Sequence, residues 1–402
     1  MSKNSKLPVG WKNIKLKKLV IQPIKNGYSP NCPEEQNGSW ILGLGNLTEN
    51  GFDPSHAKPA PRDDKRVKNF LLVSGDFLIS RSNTLDKVGR TILFRGEIEN
   101  CSYPDLLMRF RVDETQVLNE FLECYLRSST VRKYIQSCAS GTSESMVKIN
   151  KTAVEHIPVI FPPCIEQKAI ADLLSAWDEA IEKTERLVQA KEKRFKYLLR
   201  KLISDNGQLI TGKSGWKKVK LGDACKITKG KQLNVAHMKD DGDYYALNGG
   251  IEPSGRTYDW NTEAGTITIS EGGNSCGYVN FNTERFWSGG HCYSLLNLHP
   301  SVYSQYLFFY LKMNEPKLMK LRVGSGLPNI QKKDVDRIKV SLPTLSEQQE
   351  IAETLNATQQ EIDLLKHLAA NYKTQKRGLM QKLLTGAWRV KPEVVDTYSG
   401  RS

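Results

Sequence analysis

No apolar run in this chain of 402 residues is long enough to cross a bilayer, which takes about 20 residues. Its first residues, MSKNSKLPVGWKNIKLKKL, place no apolar run behind their charges, so no signal peptide is expected. Metal-site and dithiol spacings are also missing. The 8 cysteines, at 32, 101, 124, 138, 164, 225, 276 and 292, include no C-x-x-C, and no paired histidines sit near them. Cysteines scattered in this way suit a reducing cytosol. Acidic residues are under-represented, with 44 Asp and Glu against 58 Lys and Arg, a formal charge of +14. That basic excess favours an anionic partner, nucleic acid or an acidic membrane surface. The length suggests two or three domains, each able to bury a core.

The chain contains itself twice. INKTAVEHIPVIFPPCIEQKAIADLL from Ile149 matches IQKKDVDRIKVSLPTLSEQQEIAETL from Ile330 at one constant offset and without a gap. Pro162 pairs with Pro343, Glu166-Gln167 with Glu347-Gln348, Leu174 with Leu355 and Lys201-Leu202 with Lys382-Leu383. Each copy opens after proline, and Ser346 with Gln349 has capping-box spacing. A heptad seam follows. In the first copy it runs through Ile170, Leu174, Trp177, Ile181, Val188, Leu198 and Leu202, and in the second through Ile351, Leu355, Ile362, Leu365, Leu379 and Leu383. Each seam predicts a helix of roughly 40 residues, about 60 Å long. Each stripe needs a cover, and the other copy, packed antiparallel, supplies one. Thr184, Lys191, Thr358 and Lys376 interrupt the seam.

Upstream of each helix the likeness is looser. GWKNIKL from Gly10 resembles GWKKVKL from Gly215, and GDFLIS from Gly75 resembles GTITIS from Gly265. Short β-type runs (76–80, 90–94, 266–270, 278–281) and one amphipathic helix in each half (119–135, 302–316) predict two mixed α/β regions with small twisted sheets, an α+β class. The frame repeats but the loop after its central strand is rewritten, RSNTLDKVG (81–89) against EGGNSCG (271–277), as one scaffold carrying two recognition surfaces would do. Arg81, Asn83, Arg90 and Asn274 are candidate DNA contacts there, since Arg suits guanine and Asn suits adenine. A second loop, 141–151 and 324–333, places Lys148, Asn150, Lys151, Gln331, Lys332 and Lys333 where ammonium groups and backbone amides suit phosphate.

These residues carry a resemblance to the specificity subunit of type I restriction-modification systems. IPVIFPPCIEQKAIADLL, VSLPTLSEQQEIAETL, the closing LLRKLI and GLMQKLLTG, and the two GWK openings carry it; only the second copy shows the full closing stretch. The resemblance implies two target recognition domains, residues 1–162 and 207–342, alternating with two conserved spacer helices, 163–206 and 343–386, and a tail, 387–402. It implies a bipartite, asymmetric target in double-stranded DNA, with the helices acting as a ruler for the gap. It further implies two modification subunits that carry S-adenosylmethionine and methylate adenine, and two ATP-dependent restriction subunits that can join with their Mg. The chain itself would hold no cofactor and no metal, perform no catalysis and touch no membrane, in a bacterial or archaeal cytoplasm.

Enzyme readings find little support. The only Pro-Pro lies in Phe161–Cys164 and lacks the Asn/Asp-Pro-Pro-aromatic pattern of adenine methyltransferases. Gly43-Leu44-Gly45 is followed by Thr48 where a dinucleotide fingerprint needs its third glycine, and PRDDK (61–65) lacks a second acidic arm. GQLITGKS (207–214) has phosphate-loop spacing, but a helix precedes it and a strand-like run follows, the reverse of what that loop requires. The other alternative is a basic coiled-coil scaffold that binds DNA without sequence preference.

Overall fold

The computed structural model describes residues 7–49, 51–141, 146–203, 216–324, 328–391, 393, 395 and 397. The phosphate-loop-like stretch 207–214 lies outside the described residues. Two compact units divide the chain, Met1–Lys183 with Leu368–Ser402, and Thr184–His367. Two long helices, Cys164–Ile203 and Leu345–Leu383, each contribute one part of their length to either unit.

The helices form an antiparallel pair, and the interrupted seam explains how they keep register. In the first unit the Trp177 and Tyr372 rings meet edge to face with centroids 5.6 Å apart, and the Lys376 ammonium bonds the Asp178 carboxylate. In the second unit Lys191 reaches Glu361 at 2.6 Å and Lys366 reaches Glu192 at 2.7 Å. The lysines that break the apolar stripe each meet an acid of the opposite helix, a device that specifies alignment at some cost in stability. Ile181, Val188 and Ile362 are buried between these polar points. The seam's ends do something else. Ile170, Leu174 and Leu383 join the core of the first unit's sheet domain, with Leu379 against it. Leu355 joins the core of the second, with Leu198, Leu202 and Ile351 against it.

Both sheet domains have one topology despite their loose sequence likeness. In the first unit a four-stranded sheet has spatial order 25–26, 107–110, 76–80, 91–94, and a three-stranded one 58–59, 40–41, 101–102. The second unit repeats both, as 226–229, 292–296, 266–270, 279–282 and as 255–257, 244–247, 286–288. A two-stranded ribbon joins the GWK opening to the run before each helix, with Lys12 opposite Phe161 and Lys217 opposite Leu342. Central strands Asp76–Ser80 and Thr266–Ser270 are buried throughout, as strands covered on both faces must be. The single amphipathic helix expected in each half is broken in two. Asn119–Leu126 ends at Arg127, and Ser128 caps Ser129–Cys138 with its hydroxyl, while Ser304–Met313 and Glu315–Met319 part at Asn314, with Pro316 in the second helix's first turn.

The entry to each long helix is built around the repeated Glu-Gln. Gln167 is fully buried; its Oε1 accepts from the Leu118 N–H at 2.8 Å, and its Nε2 donates to the Gln116 and Pro162 carbonyls at 3.0 and 2.9 Å. Gln348 repeats the pattern with the Tyr303 N–H and the Ser301 and Pro343 carbonyls. The glutamates differ. The second helix is capped two residues earlier than the Ser346–Gln349 spacing suggests, because Thr344 follows Pro343 in position to exchange bonds with Glu347. In the first copy Pro163 stands where Thr344 does and has no hydroxyl to offer. Glu166 instead takes a two-pronged bond from Arg389, at 2.6 and 2.7 Å, and this carboxylate holds the guanidinium pKa above its ordinary range. Gly386, with φ +73°, turns the chain toward that contact close against Pro8. Arg389→Ala strands a Glu166 side chain that is 4% exposed, and should cost the first unit about 2 kcal/mol, the outer half of the ion pair being solvated. Amide exchange at residues 164–171 should quicken while the second unit's rates hold; equal rates would show the clamp to be inert.

Candidate nucleic-acid interface

The two loops singled out in each half are neighbours, fastened by backbone bonds. In the first unit the central strand ends at Ser80, and the rewritten loop closes where the Gly89 N–H, at φ +72°, donates to the Ser80 carbonyl at 2.7 Å. The second loop pairs with the first, Val147 opposite Asn83 and Lys148 opposite Ser82, and the Ile149 N–H donates to the Arg81 carbonyl at 2.9 Å. Arg81 and Asn83 are half-buried and Lys148 is exposed on this joined edge. The Asn83 Oδ1 accepts from the Thr84 N–H. Three candidates have local partners instead. Arg90 donates to the Leu47 carbonyl at 3.4 Å, Asn150 caps the helix Lys151–Glu155 through the Ala153 N–H, and Lys151 pairs with Glu155 at 3.4 Å.

The second unit repeats the frame with other chemistry. Gly277, at φ +90°, closes its loop onto the Ser270 carbonyl at 2.9 Å, and Ile330 donates to the Glu271 carbonyl at 2.8 Å. A bridge joins Gly272 to Asn329. Asn274 is exposed on the turn; Gln331 precedes the helix Lys332–Asp336, and all three of Gln331, Lys332 and Lys333 are exposed. Glu271 stands where the first unit has Arg81, and it is buried. Its Oε1 accepts from Lys229 at 2.6 Å and from the Tyr293 hydroxyl at 3.0 Å, and its Oε2 lies 3.6 Å from the His291 Nδ1. Burial first, then this carboxylate, raises the Tyr293 pKa, so the phenol stays a donor.

Sequence reasoning missed Lys229, Glu271 and His291. Glu271 opens the rewritten loop and is there to be read, but its partners come from separate strands. Three buried thiols of the sheet domains are held protonated: burial pushes Cys101 and Cys225 up to about 12 and Cys292 up to about 11. Among the described residues no His, Cys, Asp and Glu cluster has the makings of a metal site, and no helix is long and apolar enough to cross a membrane.

Comparison with known proteins places this arrangement. The model of the type I restriction modification DNA specificity domain matches residues 8–192 and again 213–371. The chain is 26% identical to a Methanocaldococcus jannaschii protein described as the MjaX type I restriction enzyme specificity subunit, over 96% of this chain and 95% of that one. Its fold resembles the type I restriction-modification S subunit of M. genitalium, with a TM-score of 0.64 and 19% identity, covering 95% and 98% of the two chains. A chain from a structure of type I system assembly and conformational transition gives a TM-score of 0.60 at 20% identity, covering 96% and 100%.

Proposed function

The chain belongs to the family of type I restriction-modification specificity subunits, the non-catalytic component that determines DNA target specificity, and on that premise we propose how it divides its target. Residues 1–162 read one half of a bipartite, asymmetric site in double-stranded DNA, and residues 207–342 read the other. Helices 163–206 and 343–386 set the gap and dock two modification subunits, which bring S-adenosylmethionine and methylate adenine. Two restriction subunits, with ATP and Mg, join that assembly.

The observation that carries this reading is the pair of joined loops. The same strands, the same closing glycine and the same fastening to the second loop recur in both units, while the residues presented differ, with Arg81, Asn83 and Lys148 in one and Asn274, Gln331 and Lys332 in the other. A rigid frame with exchanged polar edges suits two half-sites of different sequence.

The test is methylation of a randomised DNA library by the modification subunit with and without the full chain. A split site should be methylated only in its presence. Arg81→Ala should relax one position of one half by roughly tenfold, a bidentate base contact being worth about 1–3 kcal/mol, and leave the other half as it was. Methylation that is indifferent to the chain, or selects no sequence, contradicts the reading.

A further inference from the structure

The second unit holds a charged cluster for which the first has no counterpart. The shared backbone bonds make the comparison residue by residue. Glu271 donates its N–H to the His291 carbonyl and accepts from Ile330, as Arg81 donates to Leu106 and accepts from Ile149. Gly230 donates to the Cys292 carbonyl as Gly27 donates to Leu107. Lys229, Glu271, His291 and Tyr293 therefore stand where the first unit has Asn26, Arg81, Leu106 and Met108. At the place that offers a guanidinium in one unit, the other offers a carboxylate, with an ammonium brought to it from the edge strand 226–229, across the intervening strand 292–296.

The cluster is built to fix that ammonium. Glu271 has a side chain only 12% exposed, whereas Lys229 is 51% and His291 59% exposed. An acid this buried needs partners, and it is anchored by Tyr293, whose hydroxyl also reaches the Ile330 carbonyl at 3.1 Å. Lys229 is held from behind as well. The next residue, Gly230, lies so close to the backbone of 288–289 that a Cβ there would stand 2.3 Å from the Gly289 carbonyl. One N–H of the ammonium bonds Glu271, which leaves two for an outside acceptor.

We propose that Lys229 is a specificity-determining residue of the second half-site, reading the O6 and N7 acceptors of a guanine in the major groove, with Glu271 as the residue that positions it. This rests on the reading of the chain as a two-part target reader. The two remaining donors match the two acceptors of that base edge, and guanine is the base to which Lys and Arg pair in this way. Removing the Glu271 charge adds to the net positive charge, so non-specific attraction to DNA is kept while the aim of the ammonium is lost.

The experiment uses the full chain assembled with its modification subunit on a library randomised in both halves. Lys229→Met should lower the preference for guanine at one position of the second half by about tenfold and leave the first half intact, which also controls for folding. Lys229→Arg should keep that preference. Glu271→Gln should weaken it at the same position without lowering binding to unrelated DNA. If Lys229→Met instead weakens all sequences alike and reduces the salt slope by about 0.9, the residue is a phosphate anchor and the assignment is overturned. A wild-type half-site left unchanged by all three substitutions overturns the assignment alone, and a wild-type complex that selects no split site overturns the parent reading with it.

Discussion

Gln167→Leu is expected to detach the first sheet domain from its helix. The substitution removes an acceptor from the Leu118 N–H and a donor from the Gln116 and Pro162 carbonyls, at a side chain with no exposure. Each buried group left without a partner costs about 1–3 kcal/mol, so the three together, less the gain from the new apolar contact, come to about 3–6 kcal/mol. A domain has about 5–15 kcal/mol in all. Amide protection across 117–126 and 164–171 should fall by about 100-fold or more. Gln348→Leu should do the same at 302–311 and 345–352 and spare the first unit. A single melting temperature would blur the two, since a chain of two units need not unfold in one step. Protection lost by less than about tenfold, or lost equally in both units, would mean that the glutamines do not carry the attachment.

That role was half legible. The repeat shows Glu166-Gln167 and Glu347-Gln348 plainly, and the heptad stripe shows the helices, because both signals lie within one stretch of chain. The partners of the glutamines do not. Gln116 and Leu118 are matched by Ser301 and Tyr303, positions of different residue type, so no sequence identity marks the socket even though backbone atoms make it alike. The three-stranded sheets escaped notice for a similar reason. Strands as short as Trp40–Ile41 and Cys101–Ser102 carry no period that can be counted, and their pairing is parallel across distant segments. The edge proposed to read DNA was legible as two loops but not as one surface, since Ile149 and Arg81 meet only through folding. The Lys229–Glu271 pair joins an edge strand to the first residue of the rewritten loop, and a reading that looks for base-reading cations inside the loop passes over one delivered from outside it.

The imperfect seam leads to the second large effect. Asp178–Lys376 in one unit and Lys191–Glu361 in the other fix the alignment of the two helices, each a polar pair set into an apolar stripe. Seven residues added to the first helix between Asp178 and Lys191, matched by seven added to the second between Glu361 and Lys376, preserve both pairs and return every later residue to its heptad position. Seven residues advance a helix by about 10 Å, and DNA rises 3.4 Å for each base pair, so the accepted gap should lengthen by about three base pairs with both half-sites unchanged. The same insertion in the first helix alone cannot satisfy both ion pairs, and should abolish split-site methylation instead of shifting it. Methylation of a library with graded gaps separates these results. An unchanged gap after the matched insertion would show that the helices do not measure the target, and an active single insertion would show that their register does not matter.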